Sequence, residues 1–201
     1  GYLDAVEDGK LQVNQEIIIE MQEETERMTN LIEKLNEFAN AQNKIFNLNM
    51  QRINLYSIVN KIIKQQQKFM AEKNIDLTVN LDKNLYIQGD RDSLFQIFNN
   101  IIENAIKYNV ENGSIELKST KNVNNLSIYI KDSGPGIKEK DLPYIFERFY
   151  RADKSRNSSN KGTGIGLAVA KELMEAHQGK IEVESSKEGT AFKLIFPITA
   201  D

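Results

Sequence analysis

Apolar residues in the N-terminal part of the chain recur in alternating steps of three and four, which predicts a long helix over residues 14–43. This is the heptad pattern of coiled coils and packed helical hairpins, and it is broken only at Glu24. The seam consists of Ile17, Met21, Met28, Leu31, Leu35, Phe38 and Ile45. One helix and the stub before it cannot bury such a seam, so we expect a homodimer held by a four-helix bundle. The alternative is that the seam packs on the protein's own second domain.

A second helical pattern begins at Asp90, a suitable N-cap, and has one apolar stripe and one unusual polar face. The stripe is formed by Leu94, Ile97, Phe98, Ile101, Ile102 and Ala105. The opposite face carries Gln96, Asn100, Glu103, Asn104 and Lys107. A solvated face is ordinarily a mixture of Lys and Glu, so amides around one acid and one base favour a bound metal ion and phosphates. The alternative is an ordinary amphipathic helix.

The remaining pattern predicts an α+β second domain. Charge density falls and the helical period stops near residues 47–54, so we place the domains at 1–46 and 47–201. Short alternating runs bounded by Gly, Asn and Asp predict strands. Further helices are predicted at 55–73 and 165–177, and strands at 76–81, 85–88, 114–119, 126–131, 179–185 and 191–198. We therefore expect an α/β sandwich, with a mixed or antiparallel sheet and helices on one face.

Composition excludes several classes of function. The net charge of −3 and a pI near 5.4 argue against a nucleic-acid partner bound through phosphate contacts. The chain has no cysteine, so it forms neither a disulfide nor a thiolate metal site. No apolar run has the length of a membrane span, and no signal peptide is recognisable. We expect a cytoplasmic domain, with any membrane attachment made by regions outside this chain.

Two glycine motifs are candidates for binding a ligand. The first, residues 132–136, places Asp132 before glycines that permit positive φ and a close approach of backbone to a ligand. A buried Asp132 would accept a hydrogen bond from an exocyclic amine. The second, residues 162–167, alternates glycines before a helix whose N-terminal amides and dipole suit phosphate. It is neither a Walker A loop nor a Rossmann fingerprint, and each motif alone is also typical of an ordinary turn.

Aromatic and basic side chains are combined between these motifs. Phe146, Phe149 and Tyr150 stand in an otherwise polar loop, which favours a lid that packs when nucleotide is bound. The basic residues that would then face phosphates are Arg148, Arg151, Lys154, Arg156 and Lys161. A solvated basic loop is the alternative, but it accounts for the charges and not for the aromatic residues.

The order of these motifs resembles that of sensor histidine kinases. An Asn helix, Asp-x-Gly-x-Gly, a Phe-rich lid, Gly-x-Gly-x-Gly and a final Gly-Thr are similar to that family's N, G1, F, G2 and G3 boxes. The family shares its ATP-binding fold with gyrase B, Hsp90 and MutL. The resemblance covers residues 51–201 as the ATP-binding domain, and residues 1–45 resemble the end of the dimerisation and phosphoacceptor domain. It implies a kinase core that moves the γ-phosphoryl group of ATP to a histidine and then to an aspartate of a response-regulator receiver domain.

The resemblance also implies roles for the Asn helix, with ATP and Mg²⁺ as cofactors. Asn104 would coordinate Mg²⁺, with Asn100 nearby, since amide oxygens are suitable ligands for this ion. Glu103 matches the general-base position and would help to deprotonate or orient the histidine. Lys107 would neutralise phosphate charge, and Tyr108 would lie beside the nucleotide.

The remaining nucleotide contacts implied by the resemblance come from the glycine motifs. Asp132 would read the adenine amine, supported by Thr190. The adenine pocket and the phosphate end would be lined by Gly134, Gly136, Ile137, Gly162, Thr163, Gly164, Gly166 and Leu167.

One departure from the family's pattern is the absence of a phosphoacceptor motif of the His-Glu-Leu-Arg type. The resemblance places that motif just before Gly1, so we expect a fragment that binds ATP and Mg²⁺ without phosphorylating itself at the usual site. The one histidine, His177, lies at a predicted helix end, where we expect a structural or C-capping role. Two other functions stay open: an ATP-hydrolysing domain of the gyrase or Hsp90 type, and a non-catalytic dimeric module with a vestigial pocket.

Overall fold

A computed structural model of the chain describes residues 14–45, 47–152 and 164–198. The elements found there agree in type with the predicted ones and lie within a few residues of their predicted bounds, apart from one additional strand. In chain order they are α1 (Gln15–Ile45), β1 (Gln51–Asn54), α2 (Leu55–Glu72), β2 (Asp76–Asn80), β3 (Tyr86–Gly89), α3 (Arg91–Lys107), β4 (Ser114–Lys121), β5 (Asn125–Asp132), a 3₁₀ turn (Leu142–Tyr144), α4 (Gly166–Ala176), β6 (Lys180–Ser186) and β7 (Gly189–Pro197).

A mixed five-stranded sheet, in the order β2-β4-β5-β7-β6, forms one layer of the second domain. Strand β2 is parallel to β4, and the other neighbours are antiparallel. Helices α2, α3 and α4 form the second layer, in which α3 contacts both other helices and also β5. The ring of Phe98 on α3 stacks on that of Phe196 on β7, with 6.1 Å between centroids. The predicted α+β class, with helices on one face of a mixed sheet, is confirmed.

The apolar stripe of α3 forms the centre of this core, as its spacing predicts. Its six residues are at most 2% exposed. Full burial of a large apolar side chain contributes roughly 1.5–3 kcal/mol. Asp90 caps the helix, because its Oδ1 accepts a hydrogen bond of 2.8 Å from the N–H of Ser93. The register of the helix is therefore fixed, and with it the direction in which the polar face points.

Strand β1 is the element that the sequence pattern did not predict. Its residues are mostly polar, and among Gln51–Asn54 only Ile53 is buried. The strand pairs with the distant β3 in a separate two-stranded antiparallel sheet. Asn54 then caps α2 through a hydrogen bond of 3.0 Å from the N–H of Ser57 to its Oδ1. The region that reads as a linker therefore already includes the first elements of the second domain.

Helix α1 covers almost the predicted range, and it contacts α4 of the second domain. Ile17 and Met21 of the heptad seam are half-buried, while Met28 is exposed. The side chains of the other seam residues and the predicted stub in residues 1–13 lie outside the described part of the chain. No helix in the described ranges has the combination of length and hydropathy that is needed to cross a bilayer.

His177 is the C-cap of α4 and joins this helix to the start of α3. The residue is only 4% exposed. Its Nδ1 donates to the carbonyl oxygen of Leu173 at 2.7 Å, and its Nε2 accepts a hydrogen bond of 3.0 Å from the N–H of Asp90. This pair of contacts requires the neutral ring with its proton on Nδ1. The structural role expected for His177 is confirmed.

Replacement of His177 by Ala should lower the free energy of unfolding by about 3 kcal/mol, because it opens a cavity and removes two hydrogen bonds. Urea unfolding followed by circular dichroism measures the change. Nucleotide affinity, measured well below the unfolding transition, should stay the same. An unchanged midpoint would show that neither contact contributes to stability.

Candidate nucleotide-binding site

The motifs singled out in the sequence meet in pairs in the folded domain. The end of α3 lies against the loop after β5. The two backbones are so close that a Cβ on Gly134 would stand 2.7 Å from the carbonyl oxygen of Tyr108. That loop is joined to β7 by a hydrogen bond from the N–H of Thr190 to Asp132. The middle of α3 is joined to α4 by a bond from Asn100 to Gly166. Segments that are far apart in the chain are therefore linked directly to one another.

Asp132 is the buried acid of the site, with 6% of its surface exposed. Its Oδ1 accepts hydrogen bonds from the N–H groups of Gly134, at 2.8 Å, and Thr190, at 3.3 Å. Among the described residues, no group donates to the other oxygen, Oδ2. Burial raises the pKa of Asp132, and the two backbone N–H groups partly offset this. A carboxylate held through one oxygen, with the second left to accept, suits recognition of an exocyclic amine.

The raised pKa of Asp132 predicts a pH-dependent stability. The folded state holds the proton more tightly than the unfolded state, so the contribution is fully present below the ordinary value of 3.8 and is lost as pH rises through the higher folded value. Asp132→Asn cannot ionise and lacks this dependence. We expect the free energy of unfolding of the wild type, relative to the variant, to fall as the pH rises above about 4. Urea titrations at several pH values measure it, and a difference that rises with pH would contradict the raised pKa.

The loop after β5 has a backbone course that only glycine permits. Gly136 has a φ of +73°, and a Cβ there would stand 1.7 Å from the carbonyl oxygen of Ser186. The next residue, Ile137, is half-buried, and its N–H donates to Ser185 Oγ at 2.8 Å. Ser185 Oγ also lies 3.0 Å from Thr190 Oγ1. Ser185 therefore ties both walls of the candidate adenine pocket to β6, a role that its place in an ordinary polar strand did not indicate.

The second half of α3 presents the candidate metal and phosphate ligands. Glu103, Asn104 and Lys107 are half-buried, and Tyr108 is 54% exposed. The Asn104 side chain makes no hydrogen bond to the described residues. The Lys107 ammonium group lies 5.6 Å from the centre of the Tyr108 ring. No cluster of three or more His, Asp or Glu in the described ranges could hold a metal by itself. The arrangement fits Mg²⁺, which usually binds only one or two protein side chains and takes its other ligands from substrate phosphates and water.

Two further amides orient Glu103. Asn99 Nδ2 lies 3.4 Å from Glu103 Oε2, and Gln66 Nε2 on α2 lies 3.3 Å from Asn99 Oδ1. The carboxylate of the predicted general base is thereby connected to the neighbouring helix. Sequence reasoning missed Asn99 and Gln66, because isolated amides on helical surfaces give no distinctive signal.

Asn100 does not lie on an open polar face as expected. It is 8% exposed, and its Nδ2 donates to the carbonyl oxygen of Gly166 at 2.9 Å. Gly166 is the first residue of α4, so this bond holds the second glycine motif against α3. The burial follows from the packing of α4 on α3, which the spacing of α3 alone cannot reveal. Leu167, the next residue, is half-buried against the core.

The two ends of the predicted lid are joined. The N–H of Phe149 donates to the carbonyl oxygen of Gly164 at 3.0 Å. Gly164 has a φ of +72°, and a Cβ there would stand 2.6 Å from the Tyr150 carbonyl oxygen. The predicted site residues Gly162 and Thr163, and the basic residues Lys154, Arg156 and Lys161, lie outside the described residues.

The described part of the lid is attached to the domain by side chains. Tyr150 donates from its hydroxyl to Asp141 Oδ1 at 2.7 Å, and this bond raises the pKa of Tyr150. Arg148 forms an ion pair of 2.8 Å with Glu172 on α4. Phe146 packs against the core, whereas Phe149 is 60% exposed. Arg148, one of the basic residues predicted to face phosphates, thus pairs with an acid instead.

Comparison with known proteins gives a consistent result. Residues 89–200 match the family described as histidine kinase-, DNA gyrase B- and HSP90-like ATPase. Sensor histidine kinase WalK of Bacillus subtilis is 35% identical over 98% of this chain, which spans 33% of that relative. The chain thus covers about a third of the length of this curated relative.

Solved structures agree with this match. The catalytic domain of histidine kinase ThkA is 27% identical, with a TM-score of 0.66 over 75% of this chain and 99% of that one. ThkA in complex with the response regulator protein TrrA superposes with a TM-score of 0.71 at 22% identity, over 94% of this chain and 54% of that one. The second likeness shows the fold alone.

Proposed function

Because this chain belongs to the histidine kinase-, DNA gyrase B- and HSP90-like ATPase family and carries the ATP-binding domain of a sensor histidine kinase, we propose that it binds ATP with Mg²⁺ and phosphorylates a histidine of the intact protein. The observation that carries the site assignment is the buried Asp132, held through one carboxylate oxygen by Gly134 and Thr190. This leaves an acceptor for the adenine amine at the junction of β5 and β7. The pocket for the base and the polar end of α3 then form a single nucleotide site.

In this proposal Asp132 accepts a hydrogen bond from the exocyclic amine, and Gly134 and Gly136 admit the base close to the backbone. Tyr108 covers the nucleotide from the end of α3. Thr190 supports the pocket through its N–H, which donates to Asp132 at 3.3 Å. Specificity for adenine therefore depends on Asp132 Oδ2, because the other carboxylate oxygen, Oδ1, already accepts hydrogen bonds from the backbone.

At the phosphate end, Asn104 would hold Mg²⁺ through its amide oxygen, and Lys107 would neutralise negative charge. The ion, when bound, supplies charge neutralisation at the phosphates. The helix N-terminus at Gly166 offers backbone N–H groups to the same anion, and Gly162, Thr163, Gly164 and Leu167 would complete this end. Asn100 keeps that terminus in place through the carbonyl of Gly166. Catalysis of phosphoryl transfer then rests on positioning and electrostatics.

Glu103 would act on the histidine nucleophile. The nucleophilic nitrogen attacks the γ-phosphorus while the bond from that phosphorus to the β,γ-bridging oxygen breaks and ADP leaves. The proton on the other ring nitrogen must then be stabilised or removed, and a carboxylate within reach does this. The hydrogen bonds through Asn99 to Gln66 hold the Glu103 carboxylate in one orientation. The histidine itself would come from the phosphoacceptor segment of the intact protein.

Two protein partners are proposed, one from the similarity to ThkA and one from the exposed apolar residues of α1. ThkA is known in complex with a response regulator, and we propose that a receiver-domain aspartate takes the phosphoryl group from this protein's histidine as well. Ile18, Ile19, Met28 and Ile32 on α1 are exposed, and we propose that residues 1–46 pair with a second copy. Residues 47–201 would form the catalytic domain on the cytoplasmic side, with any membrane anchor outside this chain.

Calorimetric titration of the chain with β,γ-imido-ATP, with and without Mg²⁺, tests the proposal. We expect a dissociation constant of about 1–100 µM with Mg²⁺ and weaker binding without it. A purified histidine-containing hairpin domain from a related kinase, added with ATP, should then become phosphorylated. The absence of nucleotide binding would overturn the proposal, and rapid steady phosphate release without phosphotransfer would favour an ATPase of the gyrase type.

A further inference from the structure

Lys73, the C-cap of α2, directs its ammonium group at the C-terminal end of the neighbouring helix α3. Its Nζ lies 3.1 Å from the carbonyl oxygen of Ile106, 2.6 Å from that of Lys107 and 3.1 Å from that of Asn109. An ammonium group has three N–H donors, so one side chain satisfies three carbonyls. The last carbonyls of a helix have no partner within the helix, and the helix dipole favours a positive charge there.

We propose that Lys73 is a positioning residue of the nucleotide site, which it does not itself contact; this inference rests on the proposed function. The segment that Lys73 holds is the one that carries the candidate ligands of α3. Lys107 and Tyr108 lie within it, and Asn104 is one turn earlier, with its carbonyl accepting the N–H of Tyr108 at 3.0 Å. Fixing the carbonyls of this turn fixes the direction of the side chains that would meet the phosphates and the base.

The same turn forms one wall of the candidate adenine pocket. The Tyr108 carbonyl oxygen would stand 2.7 Å from a Cβ on Gly134, so this backbone and the loop after β5 are in direct contact. A shift of the turn toward the loop is blocked, and a shift away from it opens the pocket. Lys73 opposes the second movement because it anchors the carbonyls on either side of Tyr108 to α2.

A second connection leads from the turn to the loop through side chains. Asn109 Nδ2 donates to the Ser114 carbonyl at 3.0 Å, and the Asn109 Oδ1 accepts the Ser133 hydroxyl at 3.2 Å. Ser133 Oγ in turn accepts the N–H of Ser114 at 2.7 Å. Asn109 is 6% exposed, and its Oδ1 occupies the space that a Cβ on residue 113 would need, so the amide packs directly on the backbone of Gly113. Lys73 thereby acts on both walls of the pocket, through Tyr108 and through Asn109.

The backbone of Lys73 is fixed from the other side, since its carbonyl accepts the N–H of Asn112 at 2.9 Å. The side chain is half-buried, so its hydrogen bonds are partly shielded from water. Lys68, five residues earlier on the same helix, gives a matched contrast. Its side chain is 83% exposed, and it pairs with Glu72 at a distance of 3.9 Å.

The test compares Lys73→Met, Lys73→Arg and the control Lys68→Met in the 201-residue chain. Calorimetry with β,γ-imido-ATP and Mg²⁺ is performed well below each unfolding midpoint, so that only folded protein is measured. We expect Lys73→Met to weaken binding about tenfold or more, Lys73→Arg to restore it to within about threefold of wild type, and Lys68→Met to leave it within about twofold. Amide exchange should accelerate at residues 107–109 and 133–134 in Lys73→Met alone.

A Lys73→Met protein that unfolds more easily but binds with wild-type affinity would overturn the proposal and leave Lys73 a stabilising cap. A Lys73→Arg variant that binds the nucleotide as weakly as Lys73→Met would also contradict the proposal. Should Lys73→Met not fold, Lys73→Gln replaces it, and wild-type affinity in that variant would overturn the proposal equally. If the wild type itself does not bind the nucleotide, the proposed function fails first, and the positioning role has no site to act on.

Discussion

Asp132→Asn is expected to weaken ATP binding by about a hundredfold or more while raising the affinity for inosine triphosphate relative to ATP. The reason lies in the two backbone donors that face Oδ1, the N–H groups of Gly134 and Thr190. They require an acceptor, so the amide oxygen of the variant takes that place and its NH₂ group takes the place of Oδ2. A donor then meets the adenine amine, which is unfavourable, whereas the 6-oxo group of hypoxanthine accepts from it.

Calorimetry with both nucleotides measures this change of preference. Asp76→Asn is a suitable control, because Asp76 is exposed at the start of β2 and lies outside the site. Equal losses for ATP and inosine triphosphate would mean that the variant damages the pocket in general. Unchanged affinity for ATP would show that Asp132 does not read the base.

Asn104→Ala should remove most of the Mg²⁺ dependence of nucleotide binding. We expect ATP affinity in the presence of Mg²⁺ to fall by about a hundredfold, and affinity without Mg²⁺ to change by less than about threefold. The Asn104 side chain is half-buried and makes no hydrogen bond to the described residues, so its loss should cost little stability. The difference between the two conditions isolates the metal contribution from contacts to the base and sugar.

Titrations with and without Mg²⁺ give both values, and Asn60→Ala is the control. Asn60 is half-buried on α2, like Asn104 on α3, and has no role in the proposed site. A loss of the same size without Mg²⁺ would mean that Asn104 contacts the nucleotide directly. Wild-type binding in both conditions would refute the ligand role.

Elements with a clear local pattern could be predicted from the sequence. The stripe from Leu94 to Ala105 determines both the existence of α3 and its buried face, and Asp90 marks its beginning. The residues of β4 and β5 alternate plainly enough for both strands to be recognised, and the two strands pair antiparallel in the structure. In each case the residues that decide the structure lie next to one another in the chain.

The parts that escaped prediction depend on distant partners. Strand β1 exists because β3 is available to pair with it, and its own residues are polar. Asn100 reads as one amide among several, and only the position of α4 shows that it is buried under Gly166. Lys73 reads as an ordinary lysine at a helix end, and its three carbonyl acceptors come from another helix. These roles are properties of packing and have no local sequence signal.

The junction of Asp132 with β7 has a consequence for how this domain acquires its activity during folding. Asp132 and Thr190 are 58 positions apart, and the strands that carry them become neighbours only when β7 pairs with β5. Contacts of such long sequence separation form late and slowly, because the chain entropy of closing the loop must be lost first. A ribosome-bound chain that ends before β7 lacks one side of the adenine pocket, whatever helices it has already formed. We therefore expect nucleotide binding to appear in refolding after most helical signal has returned, and stopped-flow mixing with a fluorescent ATP analogue would time the closure of the sheet.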